Sequence, residues 1–251
     1  MKVALPARAK LNLDLQVIKR RADGFHEIRT HMQSVALHDL LQAEPASNTA
    51  LEIDGLSVPQ GADNIVLKAH AALEHVVGRE LPTHFRLHKG IPPGAGLGGA
   101  SSDAAAALRA LKFVHGLETD ITKIAHSVGA DVPFFVAGGC ALAEGTGERL
   151  SPLPTEHAWY AIAWPHIELS TATVYGAWDE IRGEPPNELL QAAGRADLRV
   201  REFADRLGRD WQMTGSGSAF FRRCADEEVA LKAIASLDCW TTVTHSVGVW
   251  A

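Results

Sequence analysis

Residues 92–103 read Pro92-Pro93-Gly94-Ala95-Gly96-Leu97-Gly98-Gly99-Ala100-Ser101-Ser102-Asp103, and this glycine stretch runs directly into an alanine-rich segment. Glycines allow positive φ and close approach of a ligand, and the first turn of a helix presents unpaired N–H groups with partial positive charge. A simple strand-to-helix turn needs one or two glycines, whereas four occur within the six positions 94–99, followed by serines that can cap a helix. The stretch therefore predicts an anion-binding loop joined to a helix over Ser101 to His115.

Two familiar phosphate motifs fit this loop only in part. Gly94, Gly96 and Gly99 satisfy G-x-G-x-x-G, but a dinucleotide-binding unit continues into an apolar strand that closes with an acidic residue. Here the helix is followed by the polar residues 115–120 and a second helical pattern. The outer frame of a P-loop also fits, but Ala100 stands where its lysine would be. A different lysine must therefore neutralise the phosphates.

Candidate cations and carboxylates occur at three places outside the loop. Lys10 shares one face of the first predicted strand with Asn12, and Lys89 lies just before the loop. Asp131 precedes Val132-Pro133, and because Pro133 biases its neighbour away from helix, Asp131 is expected in a sharp turn among apolar residues. Phosphoryl transfer needs positioned cations and a group that orients the attacking hydroxyl. Asp131 fits either that role or a helix cap, and both interpretations remain open at this point.

The rest of the chain mixes strands with helices. Strands are predicted near residues 11–17, 35–41, 51–53, 84–89, 159–164 and 241–249. Helices are predicted over 64–77 behind Asp63 as cap, over 101–115 with Ser101 or Ser102 as cap, from Thr119 or Asp120 to Gly129, and over 171–181, 200–207 and 226–236. Ser151-Pro152-Leu153-Pro154 suggests a boundary between two domains, residues 1–151 and 152–251.

Composition favours a globular intracellular protein. The chain has 251 residues, of which 46% are hydrophobic and 22% charged, with three cysteines in no paired motif, so we expect reduced thiols. No apolar run suits a membrane span or a signal peptide, and we expect a cytoplasmic location. The formal charge of −6 disfavours nucleic-acid and membrane partners. Residues 1–31 nevertheless carry seven basic against three acidic side chains, which suits either a small anionic ligand or a solvated surface.

Several segments together resemble the GHMP kinases, the family of galactokinase, homoserine kinase, mevalonate kinase and phosphomevalonate kinase. The loop at 92–103 resembles their nucleotide loop, and Thr214-Gly215-Ser216-Gly217-Ser218-Ala219 resembles their second glycine segment. Ala9-Lys10-Leu11-Asn12-Leu13, Arg21-Ala22-Asp23-Gly24-Phe25-His26 and Gly129-Ala130-Asp131-Val132-Pro133-Phe134-Phe135 are similar to members that act on a CDP-linked polyol. Further similarity is scattered over nearly the whole chain.

The resemblance implies an α+β, two-domain GHMP kinase fold, with an N-terminal ATP-binding domain like ribosomal protein S5 and a ferredoxin-like C-terminal domain. It implies an ATP-dependent kinase that uses Mg²⁺ and phosphorylates an alcohol, as a monomer or weak homodimer. By position, Lys10 and Asp131 would be catalytic, while Asn12, Phe25 and His26 would bind the substrate, with the last two at the cytosine. The ATP site would comprise Lys89, Pro92, Pro93, Gly94, Ala95, Gly96, Leu97, Gly98, Gly99, Ala100, Ser101 and Ser102, with Ser102 as an indirect metal contact and the other metal ligands unknown.

The sequence departs from the family pattern at a few positions, and two alternative functions share some of its motifs. Phe25 replaces the usual tyrosine, Asp14 puts a charge where relatives are generally apolar, and the region 183–199 is short. Another GHMP enzyme of the homoserine or mevalonate type, or a decarboxylase relative, would share the glycine segments, but Phe25-His26 suits a nucleobase better than a small acid. A non-catalytic nucleotide sensor is disfavoured because it would need neither Lys10 nor Asp131.

Overall fold

The computed structural model describes residues 1–58, 61 and 63–250, which form two compact units. Unit 1 comprises residues 1–9, 37–93 and 98–138, and unit 2 comprises residues 10–36, 94–97 and 139–251. Neither unit is continuous in sequence. The division into domains 1–151 and 152–251 stays a prediction: position 151 lies inside a strand of unit 2, and residue 251 lies outside the described residues.

The elements follow one another along the chain as strands and helices of both units. The strands are β1 Val3–Asn12, β2 Gln16–Arg20, β3 His26–Pro45, β4 Ala50–Gly55, β5 Thr83–Lys89, β6 Cys140–Gly145, β7 Arg149–Leu153, β8 Trp159–Trp164, β9 Gln212–Met213, β10 Phe220–Cys224 and β11 Trp240–His245. The helices are α1 Ile65–Val77, α2 Gly99–His115, α3 Ile121–Val128, α4 Val132–Ala137, α5 Thr171–Ile181, α6 Leu190–Ala196, α7 Leu198–Leu207 and α8 Glu227–Ile234.

Unit 1 is built around strand β5, which pairs antiparallel with the second half of β3 and parallel with β4. Period-2 alternation puts Phe85, Leu87 and Lys89 on the buried face of β5. Helices α1 to α4 pack against one another and contribute buried side chains such as Leu73 and Leu108. Because β5 ends at Lys89 and α2 begins at Gly99, the glycine stretch connects a buried strand to a buried helix.

Unit 2 contains an antiparallel sheet of order β11-β8-β10-β9. Tyr160 to Trp164 of β8 are buried, and α5 to α8 contribute to the same core through residues such as Trp178, Val200 and Ala230. The first half of β3 pairs with β2 and with β6, and β6 pairs with β7, all antiparallel. Met213 of β9 lies opposite Phe220 of β10, so the second glycine segment forms the connection of a hairpin.

Several predicted element ends are confirmed. Strand 159–164 and helix 171–181 have the predicted bounds. Helix α3 begins behind Asp120, whose carboxylate accepts from the Thr122 N–H at 3.0 Å, and it ends at Gly129.

The three cysteines are free thiols. Within the described part of the chain, none of the helices has both the length and the apolar character that crossing a bilayer requires.

Other predicted ends are wrong for identifiable reasons. Asn64, not Asp63, caps α1, because its side chain accepts from the Val66 N–H at 2.9 Å. Helix α2 begins two residues before Ser101, since Gly98 adopts a left-handed conformation at the N-cap and makes no side-chain cap. The predicted strand 11–17 is interrupted after Asn12, and Leu15 bonds instead to the Pro186 carbonyl. Helices α4 and α6 and strands β6, β7, β9 and β10 were not predicted.

Candidate active site

Lys10 and Asn12 lie at the end of β1. In unit 2 they are beside residues 94–97 of the glycine stretch and beside the second glycine segment, residues 214–219. The Lys10 N–H donates to the Leu97 carbonyl at 2.9 Å, and the buried Lys10 ammonium donates to Asn12 Oδ1. Asn12 donates its backbone N–H to Thr214 Oγ1 at 2.9 Å and its amide N–H to Thr30 Oγ1 at 2.8 Å. These bonds orient the Asn12 amide so that its oxygen faces the ammonium. The structure thus brings together the predicted pair and the second glycine segment.

Residues 94–97 of the glycine stretch pack backbone against backbone on the second glycine segment. Gly96 has φ of 77°, and a Cβ there would lie 2.3 Å from the Thr214 carbonyl oxygen. A Cβ on Gly215 would lie 3.1 Å from both the Gly96 carbonyl oxygen and Lys10 Nζ. The Ala219 N–H adds a bond to the Ala95 carbonyl at 3.0 Å. Protein packing therefore requires glycine at position 96. The sequence suggested only that glycine there lets a ligand approach closely.

Asn187 supports this cluster, and sequence reasoning missed it. Its buried amide donates to the Met213 and Gly215 carbonyls at 2.7 and 2.9 Å, and its oxygen accepts from the Leu189 N–H at 2.9 Å. Asn187 follows two prolines in a segment that reads as an ordinary loop. Because its partners lie 26 and 28 residues away in sequence, no local signal could have identified it.

The start of α2 in unit 1 offers donors for an anion. Gly98 occupies the N-cap, and the Ser102 N–H is the first to bond back along the helix, to the Gly98 carbonyl at 2.9 Å. The N–H groups of Gly99, Ala100 and Ser101 precede the first intrahelical bond. Ala100 is exposed and Gly99 and Ser101 are half-buried, so this turn is accessible to solvent. It has the chemistry of a phosphate site.

Lys89 lies buried in unit 1 among carboxyl groups. Its side chain is 3% exposed, and its ammonium donates to Asp39 and, at 2.6 Å, to Asp103 Oδ2. Asp39 Oδ1 also accepts from the N–H groups of Gly90 and Ile91, at 2.6 and 2.8 Å. Burial works to lower the pKa of Lys89, but the two carboxylates outweigh it and raise that pKa. The role of Lys89 at ATP stays a prediction.

Asp131 occupies the N-cap of α4 in unit 1. Its side chain makes no capping hydrogen bond and is half-buried, while Pro133 stands in the first turn of the helix. The Val132 N–H bonds to the Gly129 carbonyl at 3.2 Å, which closes the turn that carries the aspartate. The alternative that Asp131 serves as a helix cap therefore lacks the bond that defines a cap. Its catalytic role stays a prediction.

Phe25 and His26, both in unit 2, differ in exposure. Phe25 is 63% exposed in the turn before β3. The His26 ring has Nε2 at 2.9 Å from Asp179 Oδ1 and stacks on Tyr175 with ring centroids 4.7 Å apart. The Trp178 ring packs edge-on at 5.7 Å. Helix α5 therefore fixes the orientation of His26, and its three contributing side chains carried no functional signal in the sequence.

Asp14, the charge that the family pattern does not explain, has a structural role. Its carboxylate accepts from the His31 N–H and contacts His31 Nδ1, both at 2.7 Å. Thr30 Oγ1, the partner of the Asn12 amide, donates to the Asp14 carbonyl at 2.5 Å. Asp14 thus ties the segment after β1 to β3, close to the Lys10 and Asn12 pair.

A metal ion is a further component that phosphoryl transfer commonly requires. Among the described residues, no three or more His, Cys, Asp or Glu side chains are grouped to hold a metal. Mg²⁺ in phosphoryl-transfer sites is commonly held by one or two protein groups together with substrate phosphates and waters. The donor set therefore fits a metal that arrives bound to phosphates, and Ser102, which is 2% exposed, stays a predicted indirect contact.

The chain is similar to known kinases over most of its length. Residues 64–139 match the family model described as GHMP kinases N terminal domain. A 4-diphosphocytidyl-2-C-methyl-D-erythritol kinase of Moorella thermoacetica is 42% identical over 274 residues, covering 94% of each chain. The protein of that name from Thermus thermophilus is 36% identical, covering 93% of this chain and 92% of its own.

Solved structures agree with these matches. A crystal structure of 4-(cytidine 5'-diphospho)-2C-methyl-D-erythritol kinase has a TM-score of 0.85 at 34% identity, covering 98% of this chain and 100% of that one. A mevalonate kinase, with a TM-score of 0.68 at 13% identity over 99% of both chains, shares the fold. The α+β fold is thus that of the GHMP kinases, and the chain is an ATP-dependent kinase. It belongs to the 4-diphosphocytidyl-2-C-methyl-D-erythritol kinase family within the GHMP kinases.

Proposed function

We propose that this protein transfers the γ-phosphoryl group of ATP to the 2-hydroxyl of 4-diphosphocytidyl-2-C-methyl-D-erythritol, in the methylerythritol phosphate route to isoprenoid precursors. Relatives that bear this substrate in their name align with more than nine-tenths of the chain. The protein works in the cytoplasm, with ATP and Mg²⁺ as co-substrate and metal, as a monomer or weak homodimer.

One structural observation carries the proposal: Lys10, Asn12, residues 94–97 of the glycine stretch and the second glycine segment form one cluster in unit 2. The Lys10 ammonium lies beside the backbone of Gly215, and Gly96 packs on Thr214. A buried ammonium next to glycine backbone is suited to stabilise charge on a phosphoryl group, because its attraction is little screened there. A protein that only sensed nucleotides would need no such charge.

The remaining roles follow from the chemistry of phosphoryl transfer. The transition state is loose, so positioning and electrostatic stabilisation dominate. Amides between Pro92 and Ser102 hold the phosphates, and Lys10 stabilises the charge that develops on the transferring group. Asp131 acts mainly by orienting the acceptor hydroxyl and by its negative charge, and it accepts the proton as the hydroxyl is phosphorylated. Mg²⁺ neutralises phosphate charge when it arrives with ATP.

The substrate groups are bound by residues of unit 2. Phe25 presents an exposed ring face on which a cytosine stacks. His26, oriented by Asp179 and Tyr175, hydrogen-bonds the base. Asn12 binds the polyol, and the basic residues among 1–31 favour a diphosphate-bearing ligand.

Turnover of the purified protein tests the proposal. With Mg²⁺, ATP and 4-diphosphocytidyl-2-C-methyl-D-erythritol we expect ADP and a monophosphorylated product, detected by coupled assay and mass spectrometry. Homoserine and mevalonate should give no product above background. Turnover of either of these acceptors with none of the cytidyl substrate would refute the proposed function.

The role of Asp131 has a matched control in the same unit. Asp131→Asn should lower turnover by about two to four orders of magnitude, because the asparagine cannot accept the hydroxyl proton. Asp120→Asn changes an aspartate that does cap a helix, through the Thr122 N–H. This control should keep native turnover. If the two variants lost activity equally, Asp131 would be a structural residue.

A further inference from the structure

Three buried ionisable side chains of unit 1 bond to one another at the glycine stretch. Lys89 is 4% exposed, Asp39 is fully buried and Asp103 is 3% exposed. The Lys89 ammonium bonds both carboxylates. Lys89 ends β5, Asp39 lies in β3 and Asp103 lies in the second turn of α2. We call these three residues the buried triad.

The triad fixes the backbone on both sides of the loop. On the strand side, Asp39 Oδ1 accepts from the Gly90 and Ile91 N–H groups, at 2.6 and 2.8 Å, so it sets the direction in which the chain leaves β5. On the helix side, the 2.6 Å bond from Lys89 to Asp103 holds α2. A Cβ on Gly99 would lie 3.4 Å from Lys89 Nζ, so the ammonium lies under the first residue of that helix.

Charge in the triad is balanced only if one carboxyl group holds a proton. Two carboxylates and one ammonium would leave a net negative charge among buried groups, which is costly. Asp103 Oδ1 is buried and, among the described residues, has no hydrogen-bond partner. Burial, followed by the charge of Asp39, raises the pKa of Asp103, although Lys89 acts in the opposite direction. Asp103 is therefore the carboxyl group of the triad whose protonated form is favoured.

We propose that Lys89 is a positioning residue, which acts with Asp39 and Asp103 to fix both ends of the nucleotide loop and does not itself bind the nucleotide. This inference rests on the proposed function in one respect, that the loop binds ATP. Lys89 already donates to the carboxyl groups of Asp39 and Asp103, and its side chain is 3% exposed, so it has little contact with solvent or ligand. Its effect on ATP must pass through the loop amides.

The direction in which one substitution changes nucleotide affinity distinguishes positioning from direct binding. If Lys89 bound phosphate, Asp39→Asn would release the ammonium from a competing carboxylate and tighten nucleotide binding severalfold. If the triad only positions the loop, Asp39→Asn weakens the acceptor of the Gly90 and Ile91 N–H groups, and nucleotide affinity falls. Asp103→Asn is the matched control, because the asparagine keeps the shape and the neutral charge of the protonated acid and should leave affinity near the native value.

The experiment is a calorimetric titration of the full-length native protein and both variants with ADP at neutral pH, without acceptor substrate. We expect Asp103→Asn to bind ADP with near-native affinity and Asp39→Asn to bind at least about tenfold more weakly. Amide hydrogen exchange of residues 90–98 should be faster in Asp39→Asn, a readout that does not depend on activity.

Each outcome decides between the hypotheses. Tighter or unchanged ADP binding by a folded Asp39→Asn protein would overturn the positioning role. Should Asp39→Asn fail to fold, Asp103→Ala decides instead, because it removes the bond from Lys89 that holds α2: positioning requires weaker ADP binding, whereas direct binding by the released ammonium requires tighter binding. If the native protein bound no ADP, the nucleotide site of the proposed function would be wrong, and the positioning role would fall with it.

Discussion

Replacing Gly96 by alanine tests the packing of the two glycine segments. The added Cβ would lie 2.3 Å from the Thr214 carbonyl oxygen, a contact that must open to at least 3.0 Å. The same carbonyl accepts the Gly217 N–H at 3.0 Å, so moving it disturbs the turn of the second segment. Because Gly96 has φ of 77°, the alanine also pays about 1–2 kcal/mol of backbone strain.

The expected result follows from the size of that displacement. A misplacement of about 1 Å in a catalytic cluster can cost about 100-fold in rate, and Lys10 lies 3.1 Å from the Cβ position of the neighbouring Gly215. We expect kcat/KM of Gly96→Ala to fall about 10-fold to 100-fold. The assay is coupled ADP release with the cytidyl substrate, together with thermal unfolding of the same samples.

Gly116→Ala is the matched control. Gly116 has φ of 61°, but no atom lies within 4 Å of its Cβ position, so this variant contains the backbone strain without the collision. It should lose about 1–2 kcal/mol of unfolding free energy and keep native kinetics. Native kcat/KM in Gly96→Ala, or an equal kinetic loss in both variants, would refute the packing argument.

Three further predictions concern single side chains. Lys10→Met should lower turnover by about three orders of magnitude while ADP affinity, measured by calorimetry, survives; near-native turnover would contradict its catalytic role. Asn187→Asp replaces a donor shared by two buried carbonyls with an acceptor. It should lower the free energy of unfolding, measured in urea, by about 2–5 kcal/mol, whereas the exposed Asn48→Asp should leave it almost unchanged. Because the pKa of Asp103 is raised, the folded protein holds a proton that the unfolded chain releases, so stability falls as pH rises through the window above the usual aspartate pKa. Asp103→Asn should flatten that fall in a series of thermal melts, and an unchanged slope would show that Asp103 is ionised.

Local patterns in the sequence were sufficient to predict several elements of the fold. The glycine stretch, the helix behind Asp120 and the strand at 159–164 depend on neighbours a few residues apart. Backbone conformational preference, capping and apolar periodicity act over that distance, so these elements could be predicted. The family motifs around Lys10 and Asp131 are likewise contiguous runs of residues.

The tertiary structure alone decided which side chains meet. Asp39 lies 50 residues from Lys89, His26 lies 153 residues from Asp179, and Asn12 lies 202 residues from Thr214. The sequence placed Lys89 near ATP, but it gave no sign of the bonds from its ammonium to Asp39 and Asp103. Such pairings leave no periodic pattern in the chain, because they depend on where distant strands and helices come to lie in the folded core.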